Sequence, residues 1–171
     1  MQPGPHQASG RMIYVGDLET PRSAAPYSVG EAGMMRALVI DDDVNIGTAI
    51  QAILASQNFE TALAFRAHSG IHALELSSFD IVVVDIFMPG MDGLDTIERI
   101  RQQAPSIPIV AMTGFRFRPS MDFLGLAIQR GATSSVRKPF TPQQLINAIN
   151  TSLRKSHALN KTPVMNGSPP C

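Results

Sequence analysis

A continuous apolar run that ends in a carboxylate constrains the fold of this sequence more than any other feature. The four residues from Ile81 to Val84 are β-branched, Asp85 follows them directly, and Pro89 and Gly93 mark the loop beyond. Apolar runs of this kind are typical of strands that helices cover on both faces of a parallel sheet. Ligands of such sheets bind outside the carboxyl ends of the strands. Asp85 is therefore predicted to lie at the functional edge of a parallel sheet.

The composition indicates one ordinary globular domain. The chain has 171 residues, 44% of them hydrophobic, which suffices for a single buried core. Its 14 basic and 14 acidic residues cancel, so no global charge attracts nucleic acid or a membrane. The single cysteine, Cys171, excludes a disulfide framework and a cysteine zinc cluster. Since there is no signal peptide and no apolar run of roughly 18 residues, we expect a cytoplasmic protein without nucleic-acid or membrane partners.

Apolar periodicity is confined to the middle of the chain. Residues 1–33 are rich in Pro, Gly, Ser and Ala, and we expect a disordered leader there. A leader with its own function and an extension without function before Met34 both stay open. Residues 34–155 are predicted to form the folded domain. Residues 156–171 lose the periodicity and predict a disordered tail.

Five strand patterns alternate with five helix patterns in this domain. The alternation predicts an α/β fold: a doubly wound, five-stranded parallel sheet with right-handed crossovers and helices on both faces. We expect the flavodoxin-like strand order 2-1-3-4-5, which places strands one and three together at the switch point. The predicted strands are residues 37–40, 60–65, 81–85, 107–113 and 134–136.

Capping residues and glycine set the predicted ends of several helices. Ser69 is expected to cap helix two, and Thr141 to begin helix five as part of a capping box. Helix four is predicted over residues 120–130, with Ile128 facing the core and Gly131 stopping the helix.

Polar side chains stand where the predicted strands end. Asp41 and Asp42 follow strand one, Asp85 and Thr113 end strands three and four, and Lys138 follows strand five. Because the carboxyl ends of parallel strands share one edge, these side chains should meet. Crowded carboxylates repel one another unless a cation intervenes. Mg²⁺, which prefers carboxylate, water and phosphate oxygens, is the natural candidate.

The same residues suit the transfer of a phosphoryl group. A carboxylate such as Asp85 can attack phosphorus and form an acyl phosphate. Lys138 can neutralise negative charge, and the Thr113 hydroxyl can donate a hydrogen bond to a phosphoryl oxygen. Asp43 is either a third metal ligand or the N-cap of helix one, and capping is the simpler interpretation.

Four segments of this sequence together resemble the receiver domain of two-component response regulators. They are Leu38–Asp43, Val82–Gly93, Met112–Gly114 and Lys138–Phe140. The resemblance covers about residues 35–153, and the four segments occur in order, each at a predicted strand end. It implies a receiver fold and a phosphorylation-controlled binding domain rather than an enzyme.

The resemblance also implies roles for the strand-end residues. Asp85 would be the phosphoacceptor, supplied by a histidine kinase or a histidine phosphotransfer protein. Asp42 and Asp85 would bind Mg²⁺ directly with the backbone carbonyl of Phe87, and Asp41 would help through water. Thr113 and Lys138 would bind the phosphoryl group and drive the switch. The peptide bond after Lys138 is expected to be cis.

Three positions depart from the usual pattern of the family. Ser135 stands where an aromatic switch residue is usual, so we expect the readout to run through a rearrangement of helix four. Phe87 and Phe115 lie where they should exclude the hydrolysing water, which predicts a long-lived phosphorylated state. The segment from Phe115 to Arg118 is either an exposed aromatic-basic patch for a partner or core aromatics with solvated arginines.

The leading interpretation is a stand-alone receiver that signals by protein contact or phosphorelay. One alternative is a Mg²⁺-dependent phosphohydrolase with an aspartate nucleophile, which usually needs an acid where Phe87 stands. Another is a receiver-like adaptor that is never phosphorylated. The four histidines, including His68 and His72, are expected to be surface residues without a pairing pattern.

Overall fold

The computed structural model describes residues 13–14, 34–89, 93–114 and 122–159. Within these ranges, six strands form one sheet and five helices pack on it. None of the described helices is both long enough and apolar enough to cross a bilayer. The strands are β1 (Ile13–Tyr14), β2 (Met35–Ile40), β3 (Phe59–Ala64), β4 (Ile81–Asp85), β5 (Ile109–Thr113) and β6 (Ser134–Arg137). The helices are α1 (Val44–Ala55), α2 (Ala67–Leu76), α3 (Gly93–Gln103), α4 (Phe123–Gln129) and α5 (Pro142–Leu159).

All neighbouring strands are parallel, in the order β1-β3-β2-β4-β5-β6. Without β1 this is the order 2-1-3-4-5, so the predicted doubly wound α/β fold is confirmed. The central pair is β2 with β4, where Ile40 stands opposite Val84. The next residue along each strand is an aspartate, Asp41 on one side and Asp85 on the other. The register therefore places two carboxylates side by side at the carboxyl edge.

The apolar runs of the strands supply both faces of the sheet. On β4, Val82 and Val84 belong to the core under α2, α3 and α4, whereas Ile81 and Val83 belong to the core under α1 and α5. All residues of β4 and β5 are buried. Side chains alternate between the faces of a strand. A strand covered on both sides therefore shows an unbroken apolar run.

The edge strand β1 lies within the stretch that the sequence predicts to be a disordered leader. Ile13 and Tyr14 pair in parallel with Ala62 and Leu63 of β3. The structure differs from the expectation at this point, and the rest of residues 1–33 lies outside the described residues. Two apolar residues carry no periodicity from which a strand can be predicted.

The start of α2 corrects the prediction that Ser69 caps this helix. The helix begins at Ala67, and its N-cap, Arg66, makes no side-chain capping hydrogen bond. Gly70 lies against Ile40, so closely that a Cβ on Gly70 would come 2.4 Å from the Ile40 Cδ1 atom. Gly70 therefore packs closely on β2, and the helix begins two residues before Ser69 despite the capping signal.

Helix α4 is shorter than predicted, and Ile128 does not face the core. The helix begins after its N-cap, Asp122, and ends at Gln129. The side chain of Ile128 is 44% exposed, whereas Ala127 is buried. Gly131 has a φ of 109°, the left-handed conformation that glycine tolerates at a helix end, so this stop is confirmed.

The capping box of α5 forms as predicted, but the helix extends into the expected tail. The Gln144 N–H donates to Thr141 Oγ1, and the Thr141 N–H donates to Gln144 Oε1. The helix runs to Leu159 rather than ending near Lys155. Ser156 Oγ donates to the Ser106 carbonyl at 2.9 Å, which ties the last turn to the domain.

Candidate functional site

Backbone hydrogen bonds beyond the strand ends hold the polar residues of the carboxyl edge in register. The Asp41 N–H donates to the Ala64 carbonyl, and the Lys138 N–H donates to the Thr113 carbonyl at 2.6 Å. The pairing of the sheet thus continues for one residue after β2 and β6. The peptide bond that follows Lys138, between Lys138 and Pro139, is cis as expected.

Lys138 joins the carboxylates of two strands. Its Nζ lies 2.6 Å from Asp41 Oδ2 and 2.8 Å from Asp85 Oδ2. The side chains are shielded from water, with 13% of Lys138, 1% of Asp41 and 9% of Asp85 exposed. The structure thus brings together the side chains of Asp41, Asp85 and Lys138, as predicted from the ends of their strands.

Burial changes the protonation equilibria of this cluster. Loss of water raises the pKa of Asp41, and the hydrogen bonds from Lys138 and from the Asp43 N–H oppose that rise. Burial alone would lower the pKa of Lys138, but its hydrogen bonds to Asp41 and Asp85 outweigh it and leave the pKa raised. Lys138 is therefore a cation at neutral pH.

The carboxylate oxygens of this cluster are of the kind that binds a hard divalent cation. Asp41, Asp42 and Asp85 each offer a carboxylate oxygen within 4.8 Å of the others, and Asp42 is exposed. Three carboxylates against one ammonium leave an excess of negative charge, which favours a cation. Oxygen donors of this kind suit Mg²⁺. The donor set therefore agrees with the expected metal.

Asp43 belongs to the helix rather than to this cluster. Its Oδ1 accepts from the backbone N–H groups of Asn45 and Ile46 at 2.9 and 3.3 Å. The carboxylate thus satisfies two free N–H groups at the start of α1, as the capping interpretation required.

Thr113 and Phe87 flank Asp85. Thr113 is buried at the end of β5, and its hydroxyl donates to the Gly114 carbonyl at 3.3 Å. The Phe87 N–H donates to Asp85 Oδ1 at 3.2 Å. The Phe87 ring meets the ring of Phe123 edge-on, with centroids 4.8 Å apart and the planes at 76°. Phe115, expected near the same path, lies outside the described residues, as does the segment to Arg118.

A glycine closes the loop after Asp85. A Cβ on Gly93 would come 2.4 Å from the Asp85 carbonyl oxygen and from the Ile86 Cα. The Gly93 N–H donates to the Ile86 carbonyl at 2.9 Å. Only glycine allows α3 to begin so close to the end of β4.

Ser135 lines an open cleft instead of filling it. The cleft, of about 570 Å³, lies between β6 and α5, with Gln144, Asn147 and Thr151 on the helix side. Ser134 beside it is tied to α5, because its hydroxyl donates to the Ala148 carbonyl at 2.9 Å. The absence of an aromatic side chain at Ser135 thus leaves empty volume on this face.

Three side-chain pairings were not predicted from the sequence. The contact of Phe87 with Phe123 joins residues that are far apart in sequence, and no short-range pattern reveals it. His68 and His72 are exposed, as expected of surface residues, but the expected lack of a pairing pattern is wrong for these two. His72 Nδ1 lies 2.9 Å from Glu75 Oε2, and the rings of His68 and His72 stack at 6.5 Å. Their spacing of three and four residues on α2 was the available signal.

Comparison with known proteins agrees with this fold. The model of the response regulator receiver domain matches residues 37–150. The transcriptional regulatory protein ZraR of Salmonella typhimurium is 33% identical over 121 residues, which cover 71% of this chain and 27% of ZraR. DltR of Streptococcus agalactiae is 30% identical over 134 residues, which cover 78% of this chain and 58% of DltR. The chain thus spans less than two thirds of the length of either relative.

Solved structures show the same architecture. A response regulator receiver domain protein from Clostridium thermocellum superimposes with a TM-score of 0.67 at 30% identity, covering 74% of this chain and 99% of that one. NtrX from Brucella abortus gives a TM-score of 0.69 at 30% identity, covering 75% of this chain and 29% of NtrX.

Proposed function

This chain belongs to the response regulator receiver domain family, and from that premise we propose that Asp85 is its phosphoacceptor. The observation that carries the proposal is the ion-paired cluster at the carboxyl edge. Asp85 Oδ2 lies 2.8 Å from the Lys138 ammonium. One carboxylate oxygen each of Asp41, Asp42 and Asp85 lie within 4.8 Å of one another. A nucleophilic carboxylate is thus surrounded by groups that can hold a cation and a phosphoryl group.

The proposed reaction transfers a phosphoryl group from a phosphohistidine of a histidine kinase or phosphotransfer protein. A carboxylate oxygen of Asp85 attacks phosphorus, and the new O–P bond forms as the P–N bond to the histidine breaks. The imidazole nitrogen keeps the electron pair of that bond and takes up a proton. The product is an acyl phosphate on Asp85.

The neighbours of Asp85 act by charge and position. Lys138 neutralises phosphoryl oxygens, and the Thr113 hydroxyl turns from the Gly114 carbonyl to donate to one of them. Asp41, Asp42 and Asp85, with the Phe87 carbonyl, would hold Mg²⁺, which supplies positive charge at the transferring phosphoryl group. Low water access at Asp41 and Asp85 strengthens these electrostatic contacts.

We further propose that the domain signals through protein contact or passes its phosphoryl group on in a relay. The surface formed by α4, β6 and α5 would contact the partner. A stand-alone function is part of this proposal.

Phe87 would also shield the acyl phosphate from water, which predicts slow release of phosphate from the purified phosphoprotein. Release within seconds would count against such shielding.

Intact-mass measurement after incubation with acetyl phosphate and Mg²⁺ tests the phosphoacceptor. We expect the wild type to gain the mass of one phosphoryl group and Asp85→Asn to gain none. The matched control is Asp80→Asn, which changes an exposed aspartate at the opposite edge and should gain mass like the wild type. No gain in the wild type would overturn the proposal.

A phosphohydrolase is the second candidate, because such enzymes also place an aspartate at a strand end beside Mg²⁺. The half-buried Phe87 stands where they usually carry a second acid. Multiple turnovers of p-nitrophenyl phosphate with Mg²⁺ would favour the enzyme, whereas a single phosphorylation without turnover favours the receiver.

A further inference from the structure

We propose that Phe123 is the positioning residue through which the phosphorylation state of Asp85 reaches α4. The inference deepens the proposed function and rests on it. It begins from the loss of the usual reporter at Ser135, which lines an open cleft. It continues from the contact of Phe87 with Phe123, which joins the carboxyl edge to α4.

The first link joins Asp85 to the backbone of Phe87. The Phe87 N–H donates to Asp85 Oδ1 at 3.2 Å, a bond to a charged acceptor. The two carboxylate oxygens of Asp85 each accept one hydrogen bond, Oδ1 from the Phe87 N–H and Oδ2 from the Lys138 ammonium. Phosphorylation converts one oxygen into the bridge of an acyl phosphate and removes the negative charge of the carboxylate. The hydrogen bond that positions Phe87 therefore weakens.

The second link joins the Phe87 ring to α4. Phe123 is the first residue of the helix, and its ring meets that of Phe87 edge-on at 4.8 Å. Both rings pack at the border of the core under α2, α3 and α4 and are only partly buried. Aromatic pairs prefer this geometry, so a shift of one ring changes the preferred position of the other.

The other end of α4 is attached to α3 chiefly by the partly buried hydrogen bond of Arg101, since the ion pairs of Arg130 are exposed and contribute little. The Arg130 guanidinium lies 3.0 Å from Glu98 Oε1 and 3.6 Å from Asp95 Oδ1 on α3. Arg101, also on α3, donates to the Gly131 carbonyl at 2.7 Å. A displacement at Phe123 therefore tilts α4 about its C-terminal end rather than sliding it as a whole.

The tilt would move a surface that a partner can contact. Ile128 on α4 is 44% exposed, so a partner can reach it. The N-terminal end of α4 contacts the Phe87 ring, and the residues at its C-terminal end contact α3. A tilt of the helix therefore connects a change at Asp85 to the position of the Ile128 side chain.

The test compares Phe123→Leu with the wild type, using ¹H–¹⁵N spectra recorded before and after addition of acetyl phosphate and Mg²⁺. Intact mass measures phosphorylation in the same samples. In the wild type we expect the amides of Gly125, Leu126 and Ala127 to shift with the mass gain. In Phe123→Leu we expect the same mass gain with clearly smaller α4 shifts, because leucine lacks the ring that forms the aromatic pair with Phe87.

Two further variants separate this role from general packing. Phe123→Tyr keeps the ring and should retain the shifts of the wild type. Phe79→Leu makes the matched change at another partly buried phenylalanine of the same core and should leave the α4 shifts unchanged. Equal α4 shifts in the wild type and Phe123→Leu, at equal phosphorylation, would overturn the inference. Absence of any mass gain in the wild type would instead overturn the proposed function.

Discussion

The two ends of the sheet carry ionic clusters of similar composition but different exposure. At the carboxyl edge, Lys138 joins Asp41 and Asp85, and its side chain is 13% exposed. At the amino edge, Arg36 lies 3.2 Å from Glu60, with 28% and 29% of their side chains exposed. An exposed charge pair contributes little to stability, whereas removing one partner of a buried pair is costly, because the other charge stays buried without a partner. Of these two clusters, the one at the carboxyl edge therefore holds its charged groups away from water, where they can act on a bound phosphoryl group.

The largest difference between the two edges should appear when one partner of each pair is removed. Lys138→Met leaves Asp41 and Asp85 buried without their cation, and we expect the free energy of unfolding to fall by about 3 kcal/mol without Mg²⁺. Chemical denaturation at neutral pH measures this change.

The matched change at the amino edge should have the smallest effect. Glu60→Gln removes the charge that faces Arg36 and should cost less than about 1 kcal/mol, a loss that vanishes in high salt. Equal losses for Lys138→Met and Glu60→Gln would mean that burial does not distinguish the clusters.

Mg²⁺ should act on the carboxyl edge alone, with an effect of intermediate size. A ligand that binds only the folded state at 100 times its dissociation constant stabilises it by about 2.7 kcal/mol. We expect the denaturation midpoint of the wild type to rise with Mg²⁺ at constant ionic strength. Asp42→Asn, which changes the exposed member of the cluster, should weaken this response.

The control for Mg²⁺ is Glu60→Gln, whose midpoint should rise with Mg²⁺ as that of the wild type does. A response of Asp42→Asn equal to that of the wild type would place the cation elsewhere.

The carboxyl edge could be predicted from sequence because its residues follow directly from strand ends. Asp85 ends an apolar run, and Lys138 follows a short strand, so parallel pairing alone brings them to one edge. The start of α5 was equally predictable, because Thr141 and Gln144 form a local capping box.

Features that depend on packing between distant segments could not be predicted. The contact of Phe87 with Phe123 requires the spacing of two elements to be known. Gly70 packs closely on Ile40, and α2 begins at Ala67, before the local capping signal of Ser69. A helix as short as α4 has too few turns for periodicity to decide which way Ile128 faces.

The central claim is that the phosphoryl group is carried by Asp85 itself. Peptide mass spectrometry of the wild-type chain after treatment with acetyl phosphate and Mg²⁺ locates the modified residue directly. The account predicts a single modified peptide with the added mass on Asp85, formed only when Mg²⁺ is present. A phosphoryl group on any other residue, with Asp85 unmodified, would contradict it.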